Sequence, residues 1–303
     1  MIARPFSIDE LNRVIDSTEA LVGEPLGALI ESWKRGAISL TPPRHQHRLI
    51  ELLQRLRYAV NHADDPLAVD AAAVAIAEVD GIVSLFGQFR SDPIWPEFQD
   101  ALKDARSYLH AVVVLNMVSA LRECHPDTRF VASGVPNGSA DLRMVVTTDD
   151  SMDVEVKTSL DLTNRQAAMS QAEAVRFVRR QLRRPTKHGK RQLSNERPGL
   201  LVIGAFEIDA DTFEALTKGA EFVLSRQNGR PSLAAIVISR TATESVVEGG
   251  RPIVNFGHAS RIRSNPNYSG NIRFTGSWDG KWRLRKVDGG TLGRVRPVIS
   301  AGK

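Results

Sequence analysis

Cysteine is nearly absent from this sequence, since Cys124 is the only one among 303 residues. A lone cysteine excludes an internal disulfide, a metal knuckle built from paired cysteines and a disulfide-stapled scaffold. Its place at the end of a predicted helix favours a small buried hydrophobic residue over a nucleophile. The chemistry of this protein must therefore come from other side chains.

Long apolar runs are also missing. The longest candidate, at residues 111–121, is interrupted by Asn116 and Ser119, and it falls short of the roughly 18 residues that a membrane-spanning helix needs. The N-terminus turns acidic and polar within its first ten residues, where a secretory signal would have an apolar core. We therefore expect no membrane partner and a cytoplasmic location.

Net charge is modest at +5, but it is unevenly distributed. Residues 1–98 hold 9 Lys and Arg against 14 Asp and Glu, which leaves 31 against 21 for residues 99–303. This asymmetry places any basic surface for a partner in the later two-thirds of the chain.

The first 93 residues have the apolar periodicity of helices. Ser7 and Glu10 match a capping box, and Leu49, Leu52 and Leu56 form part of an apolar stripe. Two prolines in residues 90–97 mark a boundary. We predict an N-terminal helical domain over residues 1–93, which recruits a partner or substrate or forms a homodimer.

Residues 94–250 alternate between helical and strand patterns. The expected order is a long helix at 97–123, strands at 129–133, 140–148 and 152–159, a helix at 163–183, a strand at 199–206, a helix at 210–226 and a strand at 233–239. The run at 199–206 is apolar throughout, as in a strand covered on both faces. This order predicts an α/β domain with a mixed sheet flanked by helices.

Residues 251–303 resemble a basic, hairpin-rich C-terminal extension. They carry eleven Lys and Arg against two acids, and Asp279 with Gly280 matches a hairpin turn. Tyr268, Phe274, Trp278 and Trp282 lie among these cations. Such aromatic residues stack on bases or fill hairpin cores, and cross-strand packing is the expected role of the two tryptophans.

A predicted hairpin at residues 139–160 carries an unusual set of charges. Along the strand at 152–159, alternation puts Asp153, Glu155 and Lys157 on one face. A turn near residues 149–151 would bring Asp141 back toward Glu155 and Lys157. Two neighbouring carboxylates repel each other unless a cation lies between them, and their oxygens suit Mg²⁺ or Mn²⁺. The alternative is a solvated hairpin face on which Lys157 pairs with Glu155.

The element order, together with Asp141 and the Glu155–Val156–Lys157 triplet, resembles the PD-(D/E)xK nuclease superfamily, whose fold is restriction-endonuclease-like. The resemblance covers about residues 97–206 within the predicted 94–250 domain, and it departs from the family pattern at Ala140, where proline is common. It implies that Asp141 and Glu155 bind the metal, that Val156 adds its backbone carbonyl and that Lys157 assists the attacking water. In some relatives a helix before the sheet adds an acid, here Glu97, Asp100 or Asp104; ordinary acids of a first helical turn are the alternative.

A strongly basic stretch follows the lysine strand by one helix. Residues 176–191 hold eight Lys and Arg and no acid. The predicted contacts to phosphates are Arg176, Arg180, Arg183, Arg184, Lys187, Lys190 and Arg191. A solvated helix face is the alternative reading of such a run.

These patterns lead to one expected function and two alternatives. The expected function is a Mg²⁺- or Mn²⁺-dependent nuclease that hydrolyses phosphodiester bonds, in DNA rather than RNA. The first alternative is a catalytically inactive nuclease-like module that binds nucleic acid or supports assembly. The second is a protein-interaction scaffold with no role in nucleic-acid binding.

Overall fold

The computed structural model describes residues 8–31, 47–62, 64–131, 140–146, 151–163, 167–183, 193, 197–226, 232–248, 251–269 and 279–286. The chain divides into two compact units. One contains Met1–Val112, Ala242–Gly257 and Trp282–Val295, and the other contains Val113–Thr241, His258–Lys281 and Arg296–Lys303. The boundaries expected at residues 93 and 250 stay predictions. Among the described helices, none combines the length and apolar character that a membrane crossing requires.

The first unit begins with helices. They are α1 (Ile8–Val22), α2 (Arg48–Asn61), α3 (Pro66–Gly87) and α4 (Trp95–Ala101), with a further helical turn at residues 26–31. Each of α2, α3 and α4 contacts α1, and α2 packs along α3. The predicted apolar stripe of α2 is buried in this packing, including Leu49, Leu52 and Leu56. Beside it, Arg48 donates two hydrogen bonds to the buried Glu78 carboxylate, at 3.0 and 2.7 Å.

The next helix, α5 (Ala105–Cys124), is separate from α4, so the prediction of one long helix at 97–123 is wrong. The break has a local cause at Asp104. Its Oδ2 accepts a hydrogen bond of 2.7 Å from the Ser107 backbone N–H, so this carboxylate caps a new helix instead of continuing the old one. Asp104 therefore has a capping role.

The remaining elements alternate strands with helices. They are β1 (Arg129–Phe130), β2 (Leu142–Val145), β3 (Ser151–Thr158), α6 (Leu160–Thr163), α7 (Gln171–Arg183), β4 (Gly199–Phe206), α8 (Ala210–Ser225), β5 (Leu233–Glu248), β6 (Arg251–Ser264) and β7 (Asp279–Lys286). In the described part of the chain, β1 to β7 lie side by side in sequence order. The pairs β1–β2 and β2–β3 are antiparallel, whereas β3–β4 and β4–β5 are parallel. The α/β class and the mixed sheet with helices are confirmed.

Two element predictions need correction. The helix expected at 163–183 begins at Gln171, because Ser170 and Glu173 form a reciprocal capping box in which the Ser170 N–H donates to Glu173 and the Glu173 N–H donates to the Ser170 hydroxyl. Asp279 and Gly280, expected in a turn, are the first residues of β7. Phe274 and Trp278 lie outside the described residues.

The two faces of β4 pack against different helices. Leu201, Ile203 and Ala205 belong to one buried cluster with side chains of α7 and α8. On the other face, Gly204 lies so close to Val113 of α5 that a Cβ at Gly204 would be 2.4 Å from the valine Cγ1. All eight residues of β4 are buried. The sequence-based prediction of a strand covered on both faces is therefore confirmed.

Candidate metal site and arginine cleft

The charged face of β3 is directed toward the side of the sheet that α7 and α8 cover. Glu155 and Lys157 are register partners of Leu201 and Ile203 in β4, and register partners in a sheet point to the same face. Leu201 and Ile203 pack with α7 and α8. The charges of β3 thus lie on the same side of the sheet as the basic helix.

Asp141 lies opposite Glu155. It immediately precedes β2, in which Leu142 is the register partner of Val154, so continuing the antiparallel register by one residue brings Asp141 across from Glu155. Asp141 Oδ2 accepts a hydrogen bond of 2.7 Å from the Val156 N–H. The structure thus brings together Asp141, Glu155, Val156 and Lys157, as the sequence predicts.

Glu155 is an unusual buried acid. Its residue exposure is 2%, and its Oε1 lies 2.8 Å from Lys157 Nζ. Burial, and then the nearby Asp141 carboxylate, raise the pKa of Glu155 to about 8, although Lys157 partly opposes this rise. Because Glu155 is buried, the interpretation of this hairpin as a solvated face is wrong, while the expected pairing with Lys157 is present.

Two carboxylates of this site could serve as ligands of a divalent cation. Glu155 Oε2 has no hydrogen-bond partner within the ranges that the structure describes, and a buried carboxylate oxygen is costly to leave unpaired. Asp141 supplies a second carboxylate beside it. Over those same ranges, no group of three His, Cys, Asp or Glu side chains is arranged to hold a metal. A cation here would therefore need water or backbone oxygens in addition to two carboxylates, a ligand set that Mg²⁺ accepts.

The remaining charge on this face of β3 has a structural role that sequence reasoning missed. Asp153 is buried, and its Oδ1 lies 3.0 Å from Arg143 Nε and 3.9 Å from Arg197 Nη1. Arg143 is the cross-strand partner of Asp153 in β2. The alternation of β3 placed Asp153 on the face of Glu155, but only the strand register reveals its cationic partner.

A basic cleft opens where β3 ends. It has a volume of about 750 Å³ and is lined by Ser159, by Asp161 of α6 and by four arginines of α7, namely Arg176, Arg179, Arg180 and Arg183. Helical spacing puts these exposed arginines on one face of α7, and Ala174, Phe177, Val178 and Leu182 are buried on the other. Asp161 lies 3.7 Å from Arg180 and neutralises part of the positive charge.

Seven residues are predicted to contact phosphate, and three of them line this cleft, namely Arg176, Arg180 and Arg183. The other four, Arg184, Lys187, Lys190 and Arg191, lie outside the described residues. Sequence reasoning missed Arg179, although it is three residues after Arg176 and four before Arg183, which is the spacing of one helix face. It also missed Gln181, which lines the cleft and has a buried Oε1 without a hydrogen-bond partner in the described portion of the chain.

Of the acids suggested for a supporting role, Asp104 caps α5, as described above, and Asp100 is exposed with a carboxylate 3.9 Å from Lys103.

Comparison with models of protein families, with curated proteins and with solved structures finds no match.

Proposed function

We propose that this protein is a metal-dependent nuclease that hydrolyses phosphodiester bonds, with DNA as its substrate. One observation carries the proposal: the buried Glu155 carboxylate has an unpartnered oxygen, lies opposite Asp141 and is 2.8 Å from Lys157 Nζ. Burying several ionisable groups together is costly. Such groups are therefore concentrated at functional sites.

Each residue has a distinct role in this proposal. Asp141 and Glu155 hold Mg²⁺ or Mn²⁺, with the Val156 carbonyl as a further oxygen ligand. The Val156 N–H fixes the orientation of the Asp141 side chain through their 2.7 Å hydrogen bond. When bound, a divalent cation lowers the pKa of water and neutralises charge that develops on a phosphate. Lys157, held by Glu155, orients the attacking water and stabilises the negative charge of the transition state.

The arginine cleft is suited to binding a polyanionic substrate. Ser159 lines the cleft two residues after Lys157 on the same chain segment. Arginine suits phosphate because its planar guanidinium group donates paired hydrogen bonds and keeps its charge at any physiological pH. In this proposal a phosphate chain held by α7 lies on the side of the sheet toward which Glu155 and Lys157 point.

A cleavage assay tests the proposal. We expect Glu155→Gln, Asp141→Asn and Lys157→Ala each to lower the rate of DNA cleavage in Mg²⁺ or Mn²⁺ by at least about 100-fold. The first two weaken the binding of the metal, and the third removes the cation that stabilises the transition state. Glu123→Gln is the matched control, since Glu123 is an exposed carboxylate in the last turn of α5. Circular dichroism confirms that each variant is folded. Undiminished cleavage by Glu155→Gln, or by the wild type in EDTA, would refute the proposal.

A second candidate is a nuclease-like module that binds nucleic acid without cutting it. Two observations favour it: Asp141 Oδ2 is already engaged by the Val156 N–H, and three-residue metal clusters are lacking over the part of the chain that the structure covers. Incubating DNA with the protein and Mn²⁺ separates the two candidates. Salt-sensitive binding without any cleavage would favour the module.

A further inference from the structure

An exposed aromatic ring lies beside the arginines of α7. Phe222 of α8 is 39% exposed. The guanidinium carbon of Arg179 lies 6.0 Å from its ring centroid, and that of Arg226 lies 4.8 Å away. Both guanidinium groups are within cation–π distance of the ring, which stays partly exposed. Aromatic rings combined with arginines in this way also occur on surfaces that bind single-stranded nucleic acid by stacking.

Close packing of α7 against α8 holds the Phe222 ring in this position. A Cβ at Gly219 would be 3.1 Å from the backbone carbon of Ala174 in α7, so the absence of a side chain at Gly219 permits the helices to approach closely. Phe222 follows Gly219 by one helical turn, and its neighbour Arg179 also lines the cleft. The ring is thus fixed next to the arginine row by the fold itself.

Among the described residues, only Tyr58 is another large exposed hydrophobic side chain. Its ring stacks on His62 with a centroid separation of 4.0 Å, and it belongs to the helical unit. Tyr58 therefore provides a matched control, because it is an exposed aromatic residue that is not among those lining the cleft.

The exposed ring beside the cleft favours one strand over two. The cleft, with a volume of about 750 Å³, is in the size range of sites for small molecules. A base within a duplex is stacked and paired, so it reaches a protein ring only after it leaves the helix. An unpaired base has a free face that an exposed phenyl ring can cover.

We propose that α7 and Phe222 form a platform for a single polynucleotide strand, with successive phosphates on Arg176, Arg179 and Arg183 and an unpaired base stacked on Phe222. The inference rests on the proposed nucleic-acid chemistry of this surface and adds its substrate class, namely single-stranded nucleic acid bound without reading of base sequence. Strand binding here requires no metal, so it can be measured apart from cleavage.

Fluorescence anisotropy in EDTA tests the platform. The probe is a labelled oligothymidylate of about 12 nucleotides, a length within the span of known single-strand sites, used alone and annealed to its complement. We expect wild-type protein to bind the single strand more tightly. Phe222→Ala should weaken single-strand binding about 5- to 150-fold, which is the range for loss of one stacked base. Phe222→Trp should retain this binding, and Tyr58→Ala should leave it unchanged.

The salt dependence separates the phosphate contacts from the stacking contact. For the single strand, Arg179→Gln and Arg183→Gln should each reduce the slope of log K against log salt by about 0.7. Phe222→Ala should leave this slope unchanged, because the ring carries no charge. Thermal unfolding followed by circular dichroism establishes that Phe222→Ala is folded. Phe222→Leu provides a second variant without an aromatic ring, with a side chain larger than that of alanine.

Different results overturn different proposals. Equal or tighter binding of the duplex, or no loss of affinity in both Phe222→Ala and Phe222→Leu, would overturn the platform. If such a result came with DNA cleavage that depends on Glu155, the nuclease proposal would be supported and the platform would be rejected. Binding of the single strand that depends on Phe222, without cleavage in Mg²⁺ or Mn²⁺, would support the platform and contradict the nuclease.

Discussion

Asp153 and Glu155 are two buried carboxylates on one face of β3, and they have different cationic neighbours. Asp153 lies near Arg143 and Arg197, whereas Glu155 has Lys157 alone as its cation in the described residues and has a pKa raised to about 8. The first arrangement neutralises a charge within the fold. The second places one lysine beside two carboxylates, Glu155 and Asp141, so that a proton on Glu155 or, in the proposed function, a bound cation balances the charge.

Arg143 should contribute more to stability than Arg197. The Arg143 side chain is 25% exposed and lies 3.0 Å from Asp153, whereas Arg197 is 49% exposed and lies 3.9 Å away. We expect Arg143→Ala to lower the free energy of unfolding by about 3 kcal/mol, because it leaves a buried carboxylate poorly compensated. Arg197→Ala should cost less than about 1 kcal/mol, as exposed ion pairs do. Urea denaturation measures both, and equal losses would contradict this division of roles.

At the scale of residues, sequence reasoning identified Asp141, Glu155 and Lys157 because strand alternation and a nearby turn determine which side chains share a face. It did not identify Arg143 or Phe222 as neighbours of charged groups. The pattern along one strand or helix does not reveal which residues of a neighbouring element pack against it. Those contacts follow from sheet register and from the approach of helices.

At the scale of elements, the contact between α5 and β4 depends on the absence of a side chain at Gly204. A Cβ there would lie 2.4 Å from Val113 Cγ1 and 2.7 Å from its Cγ2. Valine has a stiff χ1 angle in a helix, so its methyl groups cannot readily rotate away. The distance between α5 and β4 is therefore set by this glycine.

Gly204→Ala should lower the free energy of unfolding by about 1–3 kcal/mol, the usual cost of overpacking a core. Val113→Ala removes the two methyl groups that would clash, so the double variant should be more stable than the sum of the two single losses predicts. Chemical denaturation of all four proteins gives the coupling free energy. Strictly additive losses would show that the clash is relieved elsewhere.

Element prediction succeeded for β4 and failed at two helix starts, because apolar pattern determines a buried strand more fully than it determines the end of a helix. An uninterrupted apolar run bounded by Pro198 and Glu207 leaves a buried strand as the simplest structure. Apolar periodicity alone, however, does not fix where a helix begins. Asp104 and Ser170 each accept a backbone N–H and start a new helix, and these caps override a periodic pattern that continues across them.

At the scale of the whole molecule, buried histidines link folding to pH. Burial lowers the pKa of His258 to about 3 and that of His47 to about 4. His258 belongs to a buried polar row in which Asn116 donates to Thr241 Oγ1 at 3.3 Å and that hydroxyl lies 3.5 Å from the histidine Nδ1. Both histidines are therefore neutral in the folded protein at neutral pH.

Stability should fall as the pH drops below about 6.5, the usual histidine pKa. Between that value and about 3 the unfolded chain binds a proton that folded His258 does not, so acid favours unfolding in this window. We expect His258→Gln to reduce the steepness of this loss, whereas the exposed His62→Gln should not change it. Unfolding free energies measured from pH 7 to pH 4 test this, and an unchanged slope in His258→Gln would contradict it.

The parallel pairing of β4 with β3 and β5 also affects how the chain reaches its native state. Each of these pairings joins strands that at least one helix separates along the chain, and such non-local contacts slow folding. On the ribosome, the apolar β4 leaves the exit tunnel before its partner β5 does. In that interval an unpaired, hydrophobic strand edge is open to other nascent chains, so chaperone protection of β4 would reduce aggregation during synthesis.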